Sequence, residues 1–343
     1  MPLDRQAYSD SRIWQMELAH LFTQRCCVGT AHEFSDPDHY LSLRLGSHAI
    51  TCRGSEIGPR AWRNVCLHRN TLIDPPGSGE RAFQCCYHGW RYNSKGQLSH
   101  APFCDMTQIN NQQLHSYPLA TKEQLCFLGL DAMPDVSDLP PLLAELQLDF
   151  SQPAFHREQL LHDCNWKLLV ENVLEGYHLN FVHHDSFLPA GLDSTTAGDW
   201  RHKGDSSWAK AKPDKPAIAQ GLKHFPGAAH HYWHGYLFPN LFVANTNHLI
   251  GFISYLLPLS PTQTQLSWQL FELPALRALP ETVRQQIRTS AIAFAGKTLQ
   301  EDKSVVELCQ QGLISHGAQV QLQPQEARIA HFHELYRQHS AST

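Results

Sequence analysis

The chain has 343 residues, 42% hydrophobic and 17% charged, the balance of a globular protein with a real core and room for two domains. Its 27 basic and 32 acidic side chains leave a formal net charge of -5, which argues against nucleic acid or an anionic membrane as a partner. No apolar run approaches the roughly 20 residues that span a bilayer, and the polar start MPLDRQAYSDSRIWQ lacks the apolar core of a secretory signal, so a cytoplasmic protein is expected.

Residues 11–27, SRIWQMELAHLFTQRCC, carry apolar side chains at helical spacing and read as an amphipathic helix. From about 38 to 130, short runs such as HYLSLRLG, HAITCRG, AWRNVCLH and RAFQCCYH alternate with Gly, Pro, Asn and Asp clusters, the pattern of a small β-rich domain. DAMPDVSDLPPLLAEL, residues 131–146, is rich in Pro and Asp and reads as a linker. HDCNWKLLVENVLEGYHLNFVHH, residues 162–184, reads as a helix ending near its histidines. Residues 200–230 are polar and basic and read as a long loop or lid. HGYLFPNLFVANT, HLIGFISYLLPLS and TQLSWQLFEL read as strands, residues 281–312 as helical, and EARIAHFHELYRQH as a last helix. The expected division is 1–37, a helical segment packing on the second domain; 38–135, the β-rich domain; and 136–343, the second domain.

Ten cysteines in a cytoplasmic chain point to free thiols or metal rather than disulfides. With 23 histidines, a single one carries no weight and only spaced groups count. Cys66 and His68 form C-x-H, sixteen residues follow, and Cys85 and His88 form C-x-x-H. Two thiols and two imidazoles suit a structural zinc ion. They equally suit a Rieske [2Fe-2S] cluster, with two thiolates on one iron and two imidazoles on the other. Strand-like surroundings favour the second.

The strings NVCLHR and CCYHGWRYNSKGQLSHAP closely resemble the Rieske domains of ring-hydroxylating and related oxygenases, with Gly89, Trp90, Tyr92, Gly96 and Leu98 matching. Spacing selects Cys85 over Cys86, which is expected to be a small buried thiol beside the cluster. The family often has glycine after its C-x-H-R; here Asn70 stands there, a residue that tolerates left-handed backbone angles. Asn165, Trp166 and Lys167, then Glu171 and Asn172, then Glu175, Tyr177 and His178, with His183 five beyond, resemble that family's catalytic domain.

The resemblance implies an α+β protein, a β-rich Rieske domain plus a catalytic domain of antiparallel sheet flanked by helices (helix-grip, START-like). It implies a [2Fe-2S] cluster on Cys66, His68, Cys85 and His88. It also implies mononuclear Fe(II) on His178, His183 and Asp302 in LQEDKSVVELCQQGL, with Glu301 the adjacent alternative. Spacing favours His183 over His184. Glu175 and His178 can share a helix face; His183 is roughly 140° away, so the helix is expected to break at LNF. Glu175 occupies the slot of an acid that bridges the two metal centres across a subunit boundary, with Asn172 beside it. Glutamate there is typical of the branch resembling carnitine, choline and glycine-betaine oxygenases.

The implied activity is that of a terminal oxygenase, hydroxylating or demethylating a small organic molecule with O₂. The chain lacks a dinucleotide fingerprint, so electrons are expected from an NAD(P)H-dependent reductase of flavin or ferredoxin type. A homotrimer is implied. Tyr232, Trp233, Tyr236 and Phe238 are candidates for a cage around a quaternary ammonium group, or for a flat pocket around an aromatic ring. His230 and His231 are candidates for the pocket rim or merely for the lid. A simple electron carrier of the Rieske ferredoxin type needs only about 100 residues, which leaves the second half of this chain unexplained.

Overall fold

Alternating and β-branched runs between turn-forming clusters make strands of much of the chain. The structure is a computed structural model that describes residues 2–109, 111–195, 199–211, 231–315 and 320–341. Its contacts define two units: Gln15–Val136, and Met1–Trp14 together with Ser137–Thr343. No helix among the described residues is long and apolar enough to cross a membrane.

Helix α1 (Ser11–His20) straddles that division and is shorter than expected. Cys26 and Cys27 instead open strand β1 (Cys26–Thr30), which is buried at all five positions. A run buried on every side suits a covered strand, not a one-sided helix. Then come β2 (His39–Leu45), β3 (His48–Arg53), β4 (Arg60–Arg63), β5 (Gly77–Glu80), β6 (Arg91–Tyr92) and β7 (Leu98–His100). Helix α2 (Met106–Ile109), β8 (Ser116–Tyr117), β9 (Leu119–Lys122) and β10 (Leu125–Leu128) complete the unit. The sheets run β5-β2-β3-β4-β8, β1-β10-β9 and β6-β7. Because β1 pairs with β10, residues 15–37 belong with the β-rich unit, and the expected 1–37 segment is divided.

In the second unit α3 (Leu139–Glu145) forms inside the stretch expected as a linker. β11 (His156–His162) leads to α4 (Trp166–Val173) and α5 (Leu179–Val182). Then follow β12 (Trp200–Lys203), β13 (Ser206–Ala211), β14 (Tyr232–Leu237), β15 (Leu241–Thr246), β16 (Ile250–Ser260) and β17 (Gln263–Glu272). Residues 200–211, expected as loop, are thus mostly strand; the rest of that loop, 212–230 with His230, lies outside the described residues. The seven strands form one antiparallel sheet, β11-β17-β16-β15-β14-β13-β12. Helices α6 (Pro274–Arg277), α7 (Glu281–Ile314) and α8 (Ala327–Ala341) close the chain.

The helix expected over 162–184 is in fact strand, helix, break, helix. Asn165 caps α4 by accepting the Lys167 N–H at 3.0 Å. Trp166 is fully buried, and Lys167 lies over the rings of Tyr8, Trp166 and Tyr336. The break falls before His178, not at Leu179–Phe181. There the Glu175 carboxylate accepts the N–H groups of Tyr177 and His178, donors that a new helix start leaves unpaired. Glu175 and His178 therefore meet across a turn instead of along a helix face.

Candidate metal centres

The β-rich unit presents two loops built alike. In the first, Cys66 N–H donates to Thr71 O at 2.9 Å and Asn70 N–H returns to Cys66 O at 3.1 Å. In the second, Cys85 N–H donates to Trp90 O at 2.8 Å and Gly89 N–H returns to Cys85 O at 3.1 Å. Each loop needs a left-handed residue four after its cysteine. Gly89 has φ 73° and Asn70 φ 57°, so asparagine does the work of the expected glycine.

The first loop is pinned at its base. The buried Asn64 side chain accepts the N–H groups of Ile73 and Asp74 and donates to Asp74 O and Ser42 Oγ. Asp74, fully buried, pairs with Arg53 at 2.5 and 2.8 Å and accepts the Thr51 hydroxyl.

Cys66 and Cys85 are buried, whereas the rings of His68 and His88 are exposed with centroids 4.5 Å apart. His68 stacks on buried Trp90 at 4.9 Å. The Tyr92 hydroxyl lies 3.3 Å from Cys66 Sγ and accepts the Leu67 N–H at 3.0 Å. Burial pushes the Cys85 thiol up, while the N–H groups of Tyr87 and His88 pull it down. Buried thiols behind two adjacent exposed imidazoles fit a cluster with one thiolate-bound and one imidazole-bound iron. Cys86 is exposed, not the buried neighbour expected, because C-x-x-H geometry turns it out of the loop.

In the second unit His178, His183 and Asp302 bring one ligand atom each to within 4.8 Å of one another. Asp302 Oδ1 stands 3.0 Å from His183 Nε2 and 3.7 Å from His178 Nε2. The far nitrogen of each ring meets another carboxylate: His178 Nδ1 meets Glu175, and His183 Nδ1 meets Glu301 at 2.8 Å. Such partners hold the proton on Nδ1 and turn the Nε2 lone pair toward a metal. Burial works against protonation of His183, but Asp302 and Glu301 outweigh it and raise the pKa above the ordinary histidine value. Two imidazoles and a carboxylate on one side of a point fit an Fe(II) facial triad.

Asp302 and Glu301 are separated by the helix that carries them. Thr298, Asp302, Val306 and Gln310 follow at four-residue intervals and form the inward stripe of α7. Gln310 reaches Asn165 N–H at 2.8 Å and Tyr8 O at 3.2 Å. Glu301, one position round, backs His183. Asn172 donates to Asp302 Oδ1 at 2.8 Å and so holds the carboxylate. Its neighbour Glu171 accepts from Tyr8 Oη at 2.5 Å and meets His333 Nε2 at 2.9 Å. Ser186, absent from the sequence reading, donates to Glu301 at 2.5 Å; its place three after His183 was the available signal. His184 is exposed beside Asp185.

Beside the triad is an aromatic wall. Phe187 lies 5.0 Å from His183, and Tyr232 and Phe294 each lie 5.2 Å from Phe187. Of the four aromatics expected as a cage, only Tyr232 stands here. Trp233 projects from the opposite sheet face, toward His231, His248 and Lys210. Tyr236 and Phe238 are buried against Phe332. His231, expected at the rim or the lid, is buried against Asn245.

Comparison with known proteins adds to this geometry. The family model "Ring hydroxylating alpha subunit (catalytic domain)" matches residues 151–342, and "Rieske [2Fe-2S] domain" matches residues 24–118. The carnitine monooxygenase oxygenase subunit of Escherichia coli is 24% identical over 359 residues, covering 96% of this chain and 91% of that protein. The glycine betaine monooxygenase oxygenase subunit of Chromohalobacter salexigens is 30% identical over 192 residues, 53% of this chain and 43% of that one. A solved quaternary ammonium Rieske monooxygenase, studied for carnitine oxidation by gut microbiota, superposes with TM-score 0.80. At 20% identity over 99% of this chain and 95% of that one, it shares the fold.

Proposed function

The chain belongs to the ring hydroxylating alpha subunit family, and on that premise we propose that it is the terminal oxygenase for a small quaternary ammonium substrate. It is a Rieske non-haem iron oxygenase that takes electrons from a reductase and binds O₂ and a small molecule. The substrate reading rests on the matched carnitine and glycine betaine oxygenases together with Glu175 in the bridging slot.

In this reading Cys66, Cys85, His68 and His88 hold the cluster, and His178, His183 and Asp302 hold the iron. The observation that carries it is the convergence of those last three donors, each held from behind by Glu175, by Glu301 with Ser186, or by Asn172. When bound, the two groups supply one-electron relay and O₂ activation. The chain's own residues fix the tautomers of both histidines and orient one Asp302 oxygen, and Phe187 and Phe294 give the site an apolar side.

Glu175 is read as the bridge to the cluster of a neighbouring subunit in a homotrimer, since one carboxylate can accept from two imidazoles. The electron donor is read as an NAD(P)H-dependent reductase of flavin or ferredoxin type, and the setting as cytoplasmic.

The test is aerobic turnover with such a reductase of L-carnitine, γ-butyrobetaine, choline, glycine betaine and naphthalene, read by product mass. Oxygen incorporation or demethylation in at least one ammonium compound is expected. Products from naphthalene alone would contradict the substrate reading.

A further inference from the structure

Arg328, near the start of α8, is 2% exposed, yet its partners are neutral. Nε donates to Ser207 Oγ at 3.0 Å, Nη2 to Ser207 O at 2.9 Å, and Nη1 to His234 Nδ1 at 3.1 Å. Among the described residues no carboxylate pairs with it. A guanidinium buried without an anion is costly. Burial pulls its pKa down to about 9.

A guanidinium only donates, so His234 Nδ1 must carry a lone pair. Burial, then Arg328, holds His234 well below the ordinary histidine pKa, so the ring is neutral with its proton on Nε2. The Tyr232 ring stacks on His234 at 5.6 Å and continues the wall that runs through Phe187 to His183. Tyr232 and His234 are partly buried and keep accessible surface. Neither Tyr232 Oη nor His234 Nε2 has a hydrogen-bond partner among the described residues, and neither is a sealed, unpaired atom.

We propose that Tyr232 and His234, at the end of the aromatic wall away from His183, bind a carboxylate of the substrate, which accepts from His234 Nε2–H and Tyr232 Oη–H and is balanced by Arg328 behind them. The substrate class is then a small carboxylate whose other end reaches His178, His183 and Asp302. The inference rests on the oxygenase reading but not on the ammonium group.

The test is calorimetric binding to the metal-loaded protein of γ-butyrobetaine, its carboxamide, and the analogue of each in which carbon replaces the ammonium nitrogen. Wild type should bind each carboxylate on the order of tenfold to a hundredfold tighter than its carboxamide. Arg328→Gln should bring each pair close to parity. His234→Phe, which leaves the cation in place, should do so in part and covers the case in which Arg328→Gln does not fold. Preference for the carbon-analogue carboxylate over its amide would support the site even if no ammonium compound is turned over. Equal binding of acid and amide by wild type, or an undiminished preference in both variants, would overturn the proposal.

Discussion

The two candidate metal centres solve opposite problems. The cluster loops draw their candidate ligands from one short stretch, and local turns with repeated hydrogen bonds shape them. The triad draws on an irregular break between two short helices and on a helix far along the chain; 118 positions separate His183 from Glu301. In the first region the thiols are buried and the imidazoles face outward. In the second, His183 is buried and each ligand has a carboxylate, hydroxyl or amide behind it. Local ligands need correct turns; distant ligands need a second layer of side chains to hold them.

The largest effects should separate the regions completely. Asp302→Ala should reduce turnover to background while the visible spectrum of the cluster persists. Cys85→Ala should do the reverse to the spectrum, whereas exposed Cys86→Ala should leave it intact. A cluster lost in Asp302→Ala would break the comparison.

Next is the support under the first loop. Arg53→Met leaves Asp74 as a buried, unpaired carboxylate. A loss of about 3–5 kcal/mol is expected in denaturant unfolding. A change below about 1 kcal/mol would mean that the pair is not what holds the loop.

The backing of the triad should give a smaller, graded effect. Glu301→Gln should weaken Fe(II) affinity by roughly tenfold to a hundredfold, with the cluster unchanged. Ser186→Ala, which removes only the outer hydrogen bond, should cost less. Iron titration monitored by metal analysis reads both.

The smallest effect concerns how α7 is seated. Burial raises the Glu272 pKa, but Arg284 and Arg288 at its carboxylate outweigh this and lower it overall. A depressed carboxylate contributes stability above its unfolded pKa, about 4.3, and loses it as pH falls through the folded value. Glu272→Gln should therefore cost about 1 kcal/mol at neutral pH, since both arginines are partly exposed. The difference should shrink below about pH 4. A pH-independent difference would assign the effect to packing.

The same contrast explains what could be read from sequence. That Cys66, His68, Cys85 and His88 sit on two loops built alike was legible because their spacing follows from the turns, and Asn70 was legible as a left-handed residue. The convergence of His178, His183 and Asp302 was expected by resemblance alone. The break before His178 was misplaced because it depends on where Glu175 spends its hydrogen bonds, which periodicity does not record. That Asp302 faces the Nε2 atoms of both histidines while Glu301 faces Nδ1 of His183 was available in the Thr298, Asp302, Val306, Gln310 stripe. Phe187 and Phe294 were not legible, since only the folded unit brings them to one wall. Strand alternation could have separated Tyr232 from Trp233.

On this reading one chain carries both an electron store and a separate oxygen-activating centre. That claim is tested most directly by a single turnover: chemically reduced protein, with no reductase present, is mixed rapidly with O₂ and γ-butyrobetaine while the cluster absorbance and the product are followed. Wild type should reoxidise its cluster as product forms, and Asp302→Ala should keep its cluster reduced over the same interval and form none. Equal reoxidation and product in Asp302→Ala would contradict the claim.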